Sequence, residues 1–434
     1  MRELGASDKF FYYTASGRGM TMDIRLILKF KASVNKQAFL SAAQEALSLF
    51  PEYSVQPVLK GSRVFYEDNH NPAAWLPSAS RYDFGTSDMN GHLFCFQADP
   101  SRENEVVFSV YHGLSDWNGL SRFLKAVICR YAVHVKGLPD DVFNGVIRSQ
   151  APARSEWENE ANLKPYEFHA KQDITPPHKP EISGEIFPVP EENYSFDSPV
   201  SRHFRITLST SEFIKTAKSN HTSFVPYLLY LVSSSVREAY NTDQNIVMAL
   251  PVDLRSVFKA ESIVNFSDSI LMPSSLHDYG TPVEEQCGRF REMINLQRQP
   301  ENYAGALYTK LQALKSFEAA PEGIIAKSRE LTSQTAQIAQ SVSMGITYPG
   351  IMDMPEGADD LLENIIMESP FGVSFIMVTT YHDEMSITSV QRYDSSKIVN
   401  SICRKLSSVG LEHHLEDSGL VEHNILNLER LKRV

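Results

Sequence analysis

Histidine followed four residues later by aspartate occurs three times in this chain, as His112/Asp116, His169/Asp173 and His413/Asp417. An imidazole with a pKa near neutrality can take a proton from a hydroxyl or amine and return it later. Each pair is therefore a candidate general base with a carboxylate close by, and the setting separates them. His169 falls between residues 149 and 193, where Pro152, Pro165, Pro176, Pro177, Pro180, Pro188 and Pro190 break any periodic pattern. Nothing rigid is expected to hold a ring there. His413 lies in the polar run Glu412-His413-His414-Leu415-Glu416-Asp417-Ser418-Gly419, beyond the last predicted helix, and is expected at a solvated surface. His112 instead shares a strand face with Val106, Phe108 and Val110. It precedes a short turn and an amphipathic helix carrying Leu120, Phe123, Leu124, Val127, Ile128 and Tyr131. A strand end feeding a helix is a firm platform for a reactive group. A lone histidine at a strand end is more often structural, so the surrounding pattern has to decide.

The elements around it alternate. Residues 22–30 place Ile24, Leu26, Leu28 and Phe30 on one face and Asp23, Arg25 and Lys29 on the other, a half-buried strand. A helix follows with Phe39, Ala42, Ala43, Ala46, Leu47 and Phe50 on one stripe, stopped by Pro51. Residues 54–59 and 63–67 flank Gly61-Ser62 as a hairpin, and 92–97 and 105–112 are further strands. The proline-rich stretch 149–193 reads as a linker between two halves. Beyond it come a strand at 201–208, a capping box at Ser209-x-x-Glu212, an apolar helix at 224–240 and a buried strand at 245–250 stopped by Pro251. Helices at 283–297 and 303–317, strands at 340–347, 373–380 and 385–391, and a helix at 395–407 complete the pattern. A chain of 434 residues exceeds one ordinary core, and the alternation predicts layered sheet-plus-helix halves.

Composition narrows the partners. The net charge of −12 argues against nucleic acid or an anionic membrane surface. The longest apolar run, residues 227–236, is about half of the roughly 20 residues a membrane span requires. The first residues lack the basic-then-apolar pattern of a signal peptide. Cys95, Cys129, Cys287 and Cys403 are scattered without a C-x-x-C pair, which predicts reduced thiols in a cytoplasmic protein rather than a metal site or a disulfide frame.

Around His112 the order Tyr111-His112-Gly113-Leu114-Ser115-Asp116-Trp117 resembles the His-His-x-x-x-Asp-Gly signature of the chloramphenicol-acetyltransferase-like superfamily. That superfamily includes peptide-synthetase condensation domains, plant acyltransferases and alcohol acetyltransferases. The likeness is greatest to bacterial alcohol acetyltransferase-like proteins, in which an aromatic residue often replaces the first histidine. A second block, Met248-Ala249-Leu250-Pro251-Val252-Asp253-Leu254-Arg255 followed by Val264-Asn265-Phe266, is similar to a Pro-Val-(Asp/Asn)-Leu-Arg … Asn-Phe segment of the superfamily. A third, Ser343-Met344-Gly345 before Tyr348-Pro349, is similar to a Ser-Asn-Leu-Gly … Leu-Pro segment. Three blocks in this order span nearly the whole chain.

The resemblance implies an α/β fold of two chloramphenicol-acetyltransferase-like sheet-plus-helix halves, a pseudo-dimer with a central tunnel. Residues 1–180 would carry the HxxxD motif and 181–434 the PVDLR and NF segments. It implies that His112 is the general base for transfer of an acyl group from a CoA thioester to an alcohol or amine. Acyl-CoA would be a co-substrate, with no permanently bound cofactor and no metal, and a carrier protein is the other thioester donor to weigh. Asp116 would pair with Arg255 as a clamp between the halves instead of serving as the acid of a triad. Asn265 and Ser343 would be candidate oxyanion donors, while Phe11, Tyr12 and Tyr13 are candidates for the tunnel wall. The chain departs from the signature at Trp117, where glycine is usual, with Gly119 two places on; an indole there would narrow the tunnel or shift the turn. Two alternatives stay open. One is a free-standing condensation domain using carrier-bound thioesters, although no Gly-x-Asp-Ser-Leu attachment site is present. The other is a non-catalytic member that binds an acyl chain or a protein partner.

Overall fold

The computed structural model describes residues 1–15, 21–78, 80–151, 159–172, 180–189, 199–339, 341–370 and 374–434. Its strands gather into three sheets. The strand Asp23–Phe30 pairs antiparallel with Glu105–Tyr111 on one flank and with Leu362–Glu368 on the other, in a five-stranded sheet completed by Phe94–Ala98 and Trp75–Pro77. The sequence pattern predicts a half-buried strand, but nearly every residue of Asp23–Phe30 is buried. One face packs on the helices Lys36–Leu49 and Trp117–Lys136 through ring contacts of Phe30 with Phe39 and Tyr131. The other face is covered by the C-terminal segment. Asp23 accepts hydrogen bonds from Ser109 Oγ at 2.5 Å and from the Asn424 backbone N–H at 2.9 Å, and Arg25 donates to the Glu422 carbonyl at 3.1 Å. Polar residues that alternation assigns to solvent are here buried with partners, which is what burial of a polar group requires.

The strand Leu362–Glu368 comes from the second half of the chain yet completes the sheet of the first. Likewise Lys432–Arg433 pairs with Val55–Lys60 in a small four-stranded sheet that also holds Arg63–Asp68 and Arg2–Glu3. The second large sheet has seven strands in the order Ser267–Ser274, Ile246–Asp253, Met344–Thr347, Phe375–Tyr381, Glu384–Gln391, Val200–Ser209 and His413–Glu422. The helices Phe224–Tyr240 and Lys397–Ser408 pack against each other in this half.

Two expectations are corrected here, at Pro251 and in the proline-rich stretch, and the solvated run around His413 gains a structure. The strand Ile246–Asp253 runs through Pro251 instead of stopping there. Its inner neighbour pairs only at Met248 and Ala249, so Pro251 stands where one flank of the strand has no ladder to break. The polar run around His413 is the edge strand His413–Glu422, whose alternating exposure and charge suit a strand with one open side. The proline-rich stretch holds the short helices Glu160–Leu163 and Pro165–His169; its residues 152–158, 173–179 and 190–193 lie outside the described residues, as do Gln340 and Val373 at the starts of two predicted strands. A helix at Ala6–Ala15, unsignalled in the sequence, packs on Ile324–Ala339, where Ser328 and Thr332 hydroxyls donate to the Tyr13 and Thr14 carbonyls. Among the described residues no helix is long and apolar enough to cross a membrane.

Asn424 stitches the C-terminal segment to the five-stranded sheet. Its side chain donates to Gln97 Oε1 at 3.0 Å and Ser109 Oγ at 2.7 Å and accepts from the Tyr82 N–H at 2.9 Å. Asn424→Ala is expected to lower the unfolding free energy by about 1–3 kcal/mol, the effect of leaving buried polar partners unsatisfied. Urea denaturation checks this; an unchanged midpoint would show that the segment is not held by this residue.

Candidate active site

His112 follows directly on the strand Glu105–Tyr111, and its backbone N–H donates to the Met22 carbonyl at 2.7 Å, extending the pairing with the neighbouring strand. The half-buried ring lies face to face with Phe11, centroids 4.3 Å apart and planes within 17°. Asn265 grips the residue twice. Its Nδ2 donates to the His112 carbonyl at 2.6 Å, and its Oδ1 lies 2.9 Å from His112 Nδ1. A carbonyl can only accept, so the amide's NH2 must face it and Oδ1 must face the ring. Oδ1 also only accepts, so Nδ1 carries the proton and Nε2 carries the lone pair. Burial lowers the imidazole pKa below the ordinary 6.5, outweighing the residue's own backbone, the Asp116 charge, the Asn265 bond and the Ser115 backbone, all of which raise it. With its pKa lowered, the ring is predominantly neutral at neutral pH.

The turn after His112 is packed from beneath. A Cβ on Gly113 would lie 2.2 Å from the Tyr111 ring, so the tyrosine standing in place of the first signature histidine fills the space under the turn. Tyr66 donates its hydroxyl to the Gly113 carbonyl at 3.2 Å, and Tyr12 lies 3.3 Å from it, hydroxyl to hydroxyl. Tyr13 donates to Glu318 at 2.8 Å. Tyr12 and Tyr13 are thus core residues, and Phe11 is the member of that run that meets the imidazole.

Asp116 ends the turn as N-cap of the helix Trp117–Lys136, accepting from the Gly119 N–H at 3.4 Å. Its Oδ2 accepts from Arg255 Nη1 and from the Phe266 backbone N–H, both at 2.8 Å. Arg255 also donates to the Ser262 carbonyl, to the Val264 carbonyl at 2.5 Å and to Asp253 at 2.9 Å. Burial works to lower the guanidinium pKa, and the Asp116 and Asp253 carboxylates more than offset it. Asp116 and Arg255 are 4% and 7% exposed, so this is a buried pair with most donors and acceptors satisfied. Since Asn265 precedes Phe266, the carboxylate that holds the Phe266 N–H also places the amide on His112.

Trp117 is half-buried at the first position of its helix. The need for glycine falls two residues later. A Cβ on Gly119 would lie 2.0 Å from the Ile263 carbonyl oxygen and 2.1 Å from Ser115 Oγ, which itself donates to that carbonyl at 2.7 Å. Backbone from the second half rests on the helix at this point, and only glycine leaves room. Ser343 lies elsewhere in the fold: its hydroxyl accepts from the Val247 N–H at 3.0 Å and its own N–H donates to the Val247 carbonyl at 2.7 Å, bonds of the seven-stranded sheet. His169, expected to be unsupported, is held after all, stacked on Phe258 at 4.5 Å and Phe266 at 5.4 Å; Asp173 lies outside the described residues. His413 stays at the sheet edge, with Nδ1 2.9 Å from the Leu411 carbonyl.

No family model matches the chain, and no curated protein does either. Solved structures do match. Polyketide synthase associated protein 5 from Mycobacterium tuberculosis is 13% identical with a TM-score of 0.58, over 94% of this chain and 97% of that one. TRI101 of F. sporotrichioides, solved with coenzyme A and T-2, is 12% identical with a TM-score of 0.57, over 94% and 98%. A variant of the starter condensation domain of rhizomide synthetase RzmA, solved with C8-CoA and Leu-SNAC, is 11% identical with a TM-score of 0.56, over 94% and 93%. The chain has the two-halved α/β fold of condensation domains and chloramphenicol-acetyltransferase-like proteins.

Removing one partner of a buried pair leaves the other charge uncompensated, at about 3–5 kcal/mol. Asp116→Ala is expected to lose that much stability, together with its helix cap, and to give less folded protein. A melting temperature equal to that of the wild type would contradict the clamp. Gly119→Ala is expected to lower the melting temperature too, because the Ile263 backbone has to move; an unchanged value would show that the contact is slack.

Proposed function

We propose that this protein is an acyltransferase that moves an acyl group from a CoA thioester to an alcohol or amine, with His112 Nε2 as the general base. The observation that carries the reading is the double grip of Asn265, which leaves the proton on Nδ1 and the lone pair on Nε2. The likeness to structures solved with coenzyme A and with C8-CoA supports the choice of donor, and the HxxxD and PVDLR blocks support the choice of base.

An acceptor hydroxyl donates to Nε2. As its proton passes to the ring, the oxygen forms a bond to the thioester carbonyl carbon, giving a tetrahedral oxyanion. Collapse of that intermediate breaks the carbon–sulfur bond, and the leaving thiolate takes the proton back from Nε2. Atoms and charge balance without a covalent enzyme intermediate. The proton return runs downhill, from an imidazolium with a pKa below 6.5 to a thiolate whose thiol has a pKa of about 8.5. An alcohol acceptor, as in alcohol acetyltransferase-like proteins, is the finer form of this reading.

His112→Ala is expected to reduce thiol release from acetyl-CoA, with a panel of alcohols and amines, by about 10²–10⁴-fold while the protein stays folded. Wild-type levels of transfer in that variant would refute the base. In the wild type, activity requires neutral His112 and is lost as pH falls through its folded pKa. Because burial lowers that pKa, kcat/KM should rise to a plateau with its acid limb below pH 6.5. An acid limb in the alkaline range would mean that another group is the base.

A further inference from the structure

The helices Ala6–Ala15, Pro300–Ala319 and Ile324–Ala339 enclose an open cavity of about 600 Å³ whose apolar lining includes Phe10, Ala313, Leu314, Phe317, Ala326 and Leu331. Two chains of contact link its lining to the residues around the imidazole. Phe10 lines the cavity and lies 6.0 Å, ring to ring, from Phe11, which is 4.3 Å from His112. Lys310, on the opposite wall, pairs with Asp268 at 2.7 Å, three residues beyond the Asn265 that grips His112.

The charges at the cavity do not make it a site for an anion. Lys310 is neutralised by Asp268, and Lys327 donates to the Glu318 carbonyl at 3.1 Å with its ammonium over the Phe317 ring. Glu322, Glu330 and Gln334 are exposed at the mouth. What remains inside is hydrocarbon surface, in a volume typical of pockets that hold whole organic ligands and far larger than an acetyl group needs. Resting on the acyl-transfer reading, we propose that this cavity takes an aliphatic chain carried by one of the two substrates, either the acyl chain of the thioester or the alkyl chain of the acceptor.

The two sources give different chain-length profiles. In one arm, acyl-CoAs from acetyl to dodecanoyl are offered with ethanol; in the other, acetyl-CoA is offered with primary alcohols from ethanol to decanol. Each is run on the wild type and on the double variant Ala313→Trp/Ala326→Trp, whose indoles would fill the cavity from two exposed helix positions. In the arm that uses the cavity, kcat/KM is expected to rise by about threefold to fourfold per methylene in the wild type, the value of burying one CH2. The variant should lose that slope. The readout is the ratio of long-chain to short-chain kcat/KM, which is independent of the folded fraction. A flat profile in both arms, or a slope the variant keeps, overturns the proposal. Calorimetric binding of decan-1-ol, an uncharged probe, tests the cavity apart from the chemistry. Binding by the wild type and not by the variant supports it even if no thiol is ever released, an outcome that would sink the transfer reading alone. Equal binding, or none, overturns it.

Discussion

The buried ion pair between Asp116 and Arg255 is the contact on which the site depends. One carboxylate serves three donors from different places: the Gly119 N–H at the start of its own helix, the Arg255 guanidinium, and the Phe266 N–H at the approach to an edge strand of the second sheet. Arg255 in turn draws in the carbonyls of Ser262 and Val264. The segment between 262 and 266 is thus wrapped around a guanidinium and pinned to the turn that carries His112. Burying two charges is expensive unless their remaining hydrogen-bonding positions are filled, and here carbonyls and backbone N–H groups largely fill them.

The arrangement separates the charge from the imidazole. The carboxylate of the His-x-x-x-Asp motif acts on the backbone, while a neutral amide faces the imidazole. A carboxylate against Nδ1–H would stabilise the imidazolium and raise the pKa; Asn265 fixes the same tautomer with a weaker pull. Burial then prevails and keeps the ring neutral. In the proposed transfer, a ring tuned in this way gives up its proton readily to a thiolate. The stacked Phe11 ring adds an apolar wall and limits how the imidazole can turn.

Much of this was legible in the sequence, and what was not has physical reasons. The strand end at His112 showed in the alternation of Val106, Phe108 and Val110, and the Asp116–Arg255 pair followed from the motif likeness. The grip of Asn265 did not, because it depends on two segments 153 residues apart meeting within hydrogen-bond distance. The helix Ala6–Ala15 went unseen because Phe10, Phe11, Tyr12 and Tyr13 are apolar all round and give no period. The departure at Trp117 was legible, but not that Gly119 is the position pressed against the Ile263 backbone, a contact between distant segments. Asp23 and Arg25 read as solvent-facing, yet the C-terminal segment returns to cover them, a long-range contact that no local pattern encodes.

The protonation state of one ring is the central claim, and nitrogen NMR of imidazole-labelled protein reads it directly, with the His112 signal assigned by its loss in His112→Gln. At neutral pH the account predicts a protonated, pyrrole-type Nδ1 and an unprotonated, pyridine-type Nε2. A proton on Nε2, or a ring charged at both nitrogens, would contradict it.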